Sequence, residues 1–543
     1  FTALIESYVK TVENEKLKEF MKFFLNENIP KIIEFIDLKG KMEIGNNSLF
    51  MLKNMFKLLK CFDDILRQPI YQESQDSDEV KEIDPLNESI YFSLFKKHEN
   101  QKIPFFKDDF SIFENIVVFC VIWSFGANLT EETREIFSDF IKSEFNFIPK
   151  ERSSFDYFYN IANNSWEEWC DGFTGVQITK EKPLESQLIP TNETASIMYI
   201  SRLLVNHEVH MLLSGPESCK TLVLKTLTND VLESKFDCRN LPFANCSTSK
   251  NVLKVLRSFM QKRHGCFGPL DNQKLVIFLD NLNSIRPEIY GAQPPLELIR
   301  QFFDYGGWYD TSKVEFQHVV DTTLLAAMGE PGGGLYTISN RLLRHFFYIN
   351  IPKYSLESMK KIIDDLLRLH LNDTYPTEVR KISTKIADAS ISIFEKCVQN
   401  LLPIPSKSHY IFSLRSLVRV LKGMMLCPSN EIKNEEEFVM LWKHEMLREF
   451  HDRFNTNDDR DWFMNLLTEI IKSTFSIEIS KEVIFTDFIE NSSSYHQTKL
   501  SIDEILDFCR NVLHEHNQES SKPLDIVLFK EAISHITALT RIL

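Results

Sequence analysis

The chain has 543 residues, of which 43% are hydrophobic and 26% charged, and its 62 basic and 77 acidic side chains leave a net charge of −15 at pH 7. That length gives room for several domains and excludes a small secreted scaffold, while the ordinary globular usage excludes a disordered chain or a coiled-coil rod. The acidic balance argues against a nucleic-acid or anionic-membrane surface, since both polymers demand a basic face.

In chain order, residues 1–170 read as helices. Leu17, Phe20, Met21, Phe24 and Leu25 recur at helical spacing, as do Met51, Met55, Leu58, Leu59 and Phe62, the pattern of a buried helix face. The stretch 72–89 carries Asp76, Asp78, Glu79, Glu82 and Asp84 before Pro85 and predicts a solvated loop. Helical spacing resumes over Ile112–Trp123 and Glu131–Phe145. The longest apolar run, Ile116–Phe125, is about half the roughly 20 residues that span a bilayer. Gly172, Gly175, Pro183 and Pro190 mark 171–195 as the main domain boundary. Beyond it come short apolar runs separated by helix-length segments: Val209–Leu213, Leu241–Cys246, Leu275–Asp280, Thr322–Met328 and Phe346–Ile351. That cadence predicts an α/β fold, a five-stranded parallel sheet with helices on both faces. From Leu356 helices return, with Met359, Ile362, Ile363 and Leu366 on one face and Leu414, Leu417, Val418 and Leu421 on another. Polar breaks at 428–437, 491–498 and 514–523 punctuate this half.

The 10 cysteines form no CxxC pair, so free thiols are expected rather than a disulfide framework or a zinc knuckle. His207-Glu208-Val209-His210, His444-Glu445 and His514-x-His516 lack the histidine spacing of a metal-binding helix. Phe1 in first place, with no leader pattern after it, predicts an internal piece of a longer chain.

The chemistry begins where the first predicted strand runs into Ser214-Gly215-Pro216-Glu217-Ser218-Cys219-Lys220-Thr221 and then an apolar helix, Leu222–Leu227. Strand, loop, Lys-Thr, helix is the order of a phosphate loop. Backbone N–H groups and the helix N-terminus surround the phosphates, Lys220 reaches the β/γ oxygens, and the Thr221 hydroxyl holds Mg²⁺. Against the pattern GxxxxGK[ST], Ser214 and Cys219 stand where glycines belong, and counted from Gly215 the loop is one residue short. The plain alternative is a loop before a core helix, with Lys220 on the surface. Leu275–Asp280 supports the first reading as a buried strand ending in a carboxylate, placing Asp280 in the Mg²⁺ shell. The following residue is Asn281. Hydrolytic proteins of this class place a water-activating glutamate there, and an amide cannot accept the proton. Six of the 16 glycines, at 306, 307, 329 and 332–334, fall in two loops beside this edge.

These loops carry a resemblance. The runs YGAQPP (290–295), GGWYD (306–310), AAMG (326–329), PGGG (331–334) and RLLRHF (341–346) resemble the dynein heavy chains, in particular the third AAA+ module of the axonemal kind. NLLPIPSKSHYIFSLR (400–415) and FHDRFNTNDDRDWF (450–463) are similar to the small helical subdomain of that module. FCVIWSFGANL (119–129), FDYFYN (155–160), Trp166 and Trp169 resemble the end of the second module, and Pro190-Thr191 the start of the third. LDIVLFKEAISHITALTRIL (524–543) resembles the segment before the fourth.

The resemblance implies a division into 1–170, the helical lid of the preceding module; 171–355, the large α/β subdomain; 356–480, the small helical lid; and 481–543, the lead-in to the next module. It implies ATP or ADP with Mg²⁺ as ligand. Arg341 and Arg344 become arginine-finger candidates for a neighbouring module's nucleotide, and Arg415 a sensor-2 candidate for this module's own. The implied partners are adjacent modules of the same chain, with intermediate chains, light chains and microtubules reached through the rest of the parent, and no nucleic acid or membrane. The implied location is the cytoskeleton of a cilium or flagellum. Leu335 stands where an arginine commonly follows the three glycines. With the altered loop and Asn281, this implies a degenerate module that binds nucleotide weakly, for regulation or structure, in an ATP-driven minus-end-directed microtubule motor. A non-binding scaffold of the same ring, or an active ATPase of another AAA+ group, are the alternatives.

Overall fold

The computed structural model describes residues 2–11, 15–42, 48–62, 110–161, 163–170, 182–216, 219–231, 236–263, 265–269, 273–310, 315–371, 375–477, 484–489, 495–497, 500–520 and 522–540. The acidic stretch 72–89, Glu217, Ser218 and most of the break at 491–498 lie outside the described residues. The chain divides into two compact units, one of Phe1–Ile178 with Leu188–Tyr354 and one of Thr179–Gln187 with Ser355–Leu543.

The first unit opens with helices α1 (Thr2–Val9), α2 (Glu15–Lys39), α3 (Ser48–Lys60), α4 (Ser111–Val121) and α5 (Glu131–Glu144). The expected buried face of α3 is present, with Met51, Met55, Leu58 and Leu59 all inside. Phenylalanine does much of the packing here, as in the stacked pairs Phe35–Phe140 and Phe20–Phe110. The helix expected over Ile112–Trp123 ends at Val121 and passes into a π-helical turn, Ile122–Gly126. The expectation of helix throughout 1–170 fails at β1 (Tyr157–Asn160) and β2 (Ser165–Glu168), which pair antiparallel. Aromatic residues favour a pleated, half-buried surface, and Asn164, at φ +51, closes the turn between the strands.

After α6 (Asn192–Asn206), capped by Thr191, come β3 (Met211–Ser214), α7 (Lys220–Thr226), β4 (Phe236–Pro242), α8 (Ser249–Ser258), β5 (Met260–Lys262), β6 (Cys266–Pro269) and β7 (Lys274–Asp280). Then follow α9 (Pro294–Tyr305), β8 (Gly307–Tyr309), β9 (Phe316–Val319), β10 (Thr322–Ala327), α10 (Asn340–Leu343) and β11 (Phe347–Asn350). The main sheet is parallel and five-stranded in the order β11-β3-β10-β7-β4, as expected. Alternation along each strand divides its side chains between two cores. Met211, Leu213, Val276, Phe278, Leu325 and Ile349 face one, while Leu212, Leu275, Ile277, Leu279, Leu324 and Tyr348 face the other. Each such side chain contributes about 1.5–3 kcal/mol relative to exposure. The first core also contains the apolar faces of α2, α3 and α4, so the N-terminal helices and one face of the sheet fold around a single interior.

The strand expected over Leu241–Cys246 lies earlier, at Phe236–Pro242. It is the outer strand and only partly buried, so it shows no apolar run, and Pro242 ends it as edge strands allow. The second sheet, β5-β6-β9-β8, was not expected from the sequence. His210 has a structural role. Its Nδ1 accepts the Leu324 N–H at 3.0 Å, and burial pushes the imidazole down to about 3. No cluster of three metal-ligating side chains occurs among the described residues.

The second unit is mostly helical: α11 (Leu356–His370), α12 (Thr377–Lys381), α13 (Ser383–Asn400), α14 (Leu414–Met425), α15 (Glu435–Glu449), α16 (Asn457–Phe475), α17 (Ile502–Glu519) and α18 (Lys530–Thr540). Ser355 caps α11 and Ser501 forms a capping box with Glu504 at α17. On α14 the buried apolar side chains are Leu414, Leu417, Val420, Leu421 and Met424, so Val420 takes the place expected for Val418. Trp442 is fully enclosed, its indole N–H donating to Ser390 Oγ at 2.9 Å. Among the described residues no helix is long and apolar enough to cross a membrane.

Candidate functional site

The carboxyl ends of β3 and β7 bring the expected loop and carboxylate together. Ser214 is the last residue of β3, buried and aligned with Asn350 of β11. The chain turns at Gly215, whose φ is +116°. A Cβ at that position would lie 2.1 Å from the Ile351 carbonyl oxygen, so only glycine fits. Pro216 follows. Cys219 takes φ +48° immediately before α7, a left-handed conformation that glycine adopts without cost. Burial, with a smaller contribution from the Cys219 thiol, pushes the Tyr354 hydroxyl up.

Lys220 is the first residue of α7 and is buried; its ammonium donates to the carbonyls of Gly215 at 2.9 Å and Pro216 at 2.5 Å. Thr221 donates its hydroxyl to Asp280 Oδ1 at 3.0 Å, and the Asn281 N–H reaches the same oxygen at 3.1 Å. A hydroxyl and a carboxylate in contact are hard oxygen donors of the kind Mg²⁺ takes alongside phosphate. Asn281 sits at φ +56°, a conformation asparagine tolerates better than glutamate. The site thus has a buried cation at the head of α7, a hydroxyl–carboxylate pair able to take a metal, and the Asn281 amide beside them.

Asn283 was not anticipated. Fully buried, it donates through Nδ2 to the Gly329 carbonyl at 2.8 Å and accepts the Gly329 N–H at 3.3 Å. That pair fixes the loop after β10 to the end of β7. The only hint in the sequence is a second amide two residues after Asn281.

Arg341 and Arg344 do not join the loop. Each is more than half exposed, and they pair with α9, Arg341 with Glu297 at 3.1 Å and Arg344 with Asp304 at 2.8 Å. Arg344 stands at the foot of β11, at the edge of the sheet opposite Ser214 and Asp280. Arg415 is exposed in the first turn of α14, in the second unit.

Three family models match the chain. Residues 176–354 match the P-loop containing dynein motor region, 86–171 the dynein heavy chain AAA lid domain, and 363–460 the dynein heavy chain ATPase lid domain. Human dynein axonemal heavy chain 6 is 32% identical over 444 residues, covering 78% of this chain and 11% of the relative. Mouse dynein axonemal heavy chain 3 is 29% identical over 595 residues, covering 99% and 14%. The Chlamydomonas reinhardtii dynein-1-beta heavy chain of the flagellar inner arm I1 complex is 30% identical over 440 residues, covering 78% and 10%. The chain therefore spans well under a fifth of the relatives it matches. With a phosphate-loop sheet between two lid matches and axonemal heavy chains aligned along most of its length, the chain belongs to the dynein heavy chain family.

Proposed function

We propose that the chain carries the third AAA+ module of an axonemal dynein ring, as a nucleotide-holding unit that does not hydrolyse what it binds. In this reading 1–170 is the lid of the second module, 171–355 the large subdomain, 356–480 its lid and 481–543 the lead-in to the fourth. The observation that carries the proposal is the Thr221–Asp280 contact beside Lys220, with Asn281 next in line. Lys220 would leave the Gly215 and Pro216 carbonyls for a β-phosphate, while Thr221 and Asp280 would hold Mg²⁺. Bound there, the metal supplies charge neutralisation of the phosphate oxygens. Arg341 and Arg344 would serve a neighbouring module, and Arg415 this one. The parent would be an ATP-driven, minus-end-directed motor on ciliary or flagellar microtubules, with intermediate and light chains as further partners.

The Lys220 contacts also favour a second reading, in which the ammonium permanently staples the loop and the module is a scaffold. Titration of MgADP and MgATP into the chain separates the two. The proposal predicts saturable binding that favours the diphosphate and weakens by about 2–3 kcal/mol in Lys220→Ala, the scale of a lost charge-assisted contact. A scaffold would show no saturable binding in either protein.

A further inference from the structure

Two cations from the N-terminal helices, Lys57 half-buried and Arg134 buried, reach the two ends of β11. At its start, Lys57 of α3 donates to the His345 carbonyl at 3.4 Å. At its end, Arg134 of α5 donates through one Nη2 to the carbonyls of Asn350 at 2.8 Å and Ala127 at 2.9 Å. The Arg134 guanidinium also lies over the Phe155 ring, 4.6 Å from its centroid. Burial pushes Arg134 down to about 10 and Lys57 down to about 8, the latter aided by Lys53. The Asn350 N–H donates to the same Ala127 carbonyl at 2.8 Å, so the strand end is laced to the turn after α4 by three bonds.

That strand end is also the wall of the phosphate loop. The Ile351 N–H donates to the Ser214 carbonyl at 2.9 Å, and the Ile351 carbonyl is the group that leaves no room for a Cβ at Gly215. Asn350 Oδ1 lies 2.9 Å from that same point, buried and with no hydrogen-bond partner among the described residues. A shift of the Asn350 carbonyl therefore moves the surface against which Gly215 turns.

We propose that Arg134 is a positioning residue for the phosphate loop: its guanidinium fixes the Asn350 carbonyl, and with it the Ser214–Ile351 pairing on which the Gly215 turn is built. The N-terminal helices thereby set the geometry of a loop more than 80 positions further along the chain. Its bearing on ligand rests on the nucleotide-holding reading above; its bearing on the loop does not.

The test reads hydrogen exchange across residues 211–221 in the nucleotide-free chain, and MgADP affinity, in Arg134→Met, Arg134→Lys and Lys57→Met. Arg134→Met should speed exchange in that segment and weaken MgADP by about tenfold each, while β4 and β7 exchange as in the wild type. Lys57→Met, at the far end of β11, should leave both readouts within about twofold. Unchanged loop exchange in folded Arg134→Met, acceleration spread evenly over the sheet, or an equal effect from Lys57→Met would each overturn the assignment. Should Arg134→Met not fold, Arg134→Lys decides. Its head group is one heavy atom shorter, and it must still shift loop exchange by about threefold; a wild-type loop in that variant contradicts the proposal. Absence of MgADP binding by the wild type would defeat the nucleotide reading alone, because the exchange measurement needs no ligand.

Discussion

Asn281→Glu alone will leave phosphate release at background. A carboxylate at this position restores a general base, typically worth about 10²–10⁴ in rate, yet that base acts only on a γ-phosphate held in line for attack. Here Cys219 occupies a left-handed position at φ +48°, and the residue before Asn281 already spends Oδ1 on Thr221 and on the Asn281 N–H. Glutamate must also adopt φ near +56° at position 281, at a cost of about 1 kcal/mol. Replacing Glu217, whose carboxylate adds negative charge to a loop meant for phosphate, and Cys219 by glycine should strengthen ATP binding without turnover. Ser214 stays as it is, because it ends β3 and is buried. Only the triple change should hydrolyse, and then only in a chain that carries the flanking modules, where a neighbour supplies an arginine. The measurement is steady-state phosphate release from the three variants in such a chain. Robust turnover from Asn281→Glu by itself would show that the loop is competent with Glu217 and Cys219 in place.

Gly215→Ala will be the most damaging single substitution at the site. The added Cβ falls 2.1 Å from the Ile351 carbonyl oxygen at a φ of +116°, so strain and collision act together and either β3 or β11 must move. The expected loss is about 3 kcal/mol of unit stability, with MgADP binding abolished. Gly291→Ala is the matched control, since its φ of +77° meets nothing within 4 Å and carries only the conformational cost of about 1 kcal/mol. Denaturant unfolding followed by tryptophan fluorescence compares them. Equal loss in the two variants would mean that the Ile351 wall does not define the loop.

The strands that were legible in the sequence are the ones buried on both faces. Lys274–Asp280 is apolar from Leu275 to Leu279 because helices cover it on each side, and its boundaries fall where the residues put them. The outer strand Phe236–Pro242 is exposed at Arg239 and Asn240, so its pattern is diluted and the neighbouring Phe243 drew the expectation downstream. The hairpin at 157–168 was hidden because a short aromatic run amid helices has no periodicity long enough to separate strand from helix. At the site, residue types announced Lys220, Thr221 and Asp280. The backbone conformations of Cys219 and Asn281 and the bracing by Asn283 arise only once β3, β7 and β10 are side by side. Arg134 was equally unreadable. It sits among Glu131, Glu132 and Glu135 on a helix that looks solvated, and its burial comes from packing against Phe155 and the end of β11.

The central claim is that this module holds nucleotide and leaves it intact, and one measurement bears on it most directly. The chain, at a concentration well above its affinity, is mixed with less than one equivalent of MgATP, and both the bound fraction and the identity of the nucleotide are followed over hours. The account predicts that nucleotide is bound and recovered as ATP at the rate of decay seen without protein. Conversion to ADP in a single exponential, or no bound nucleotide at all, would contradict it.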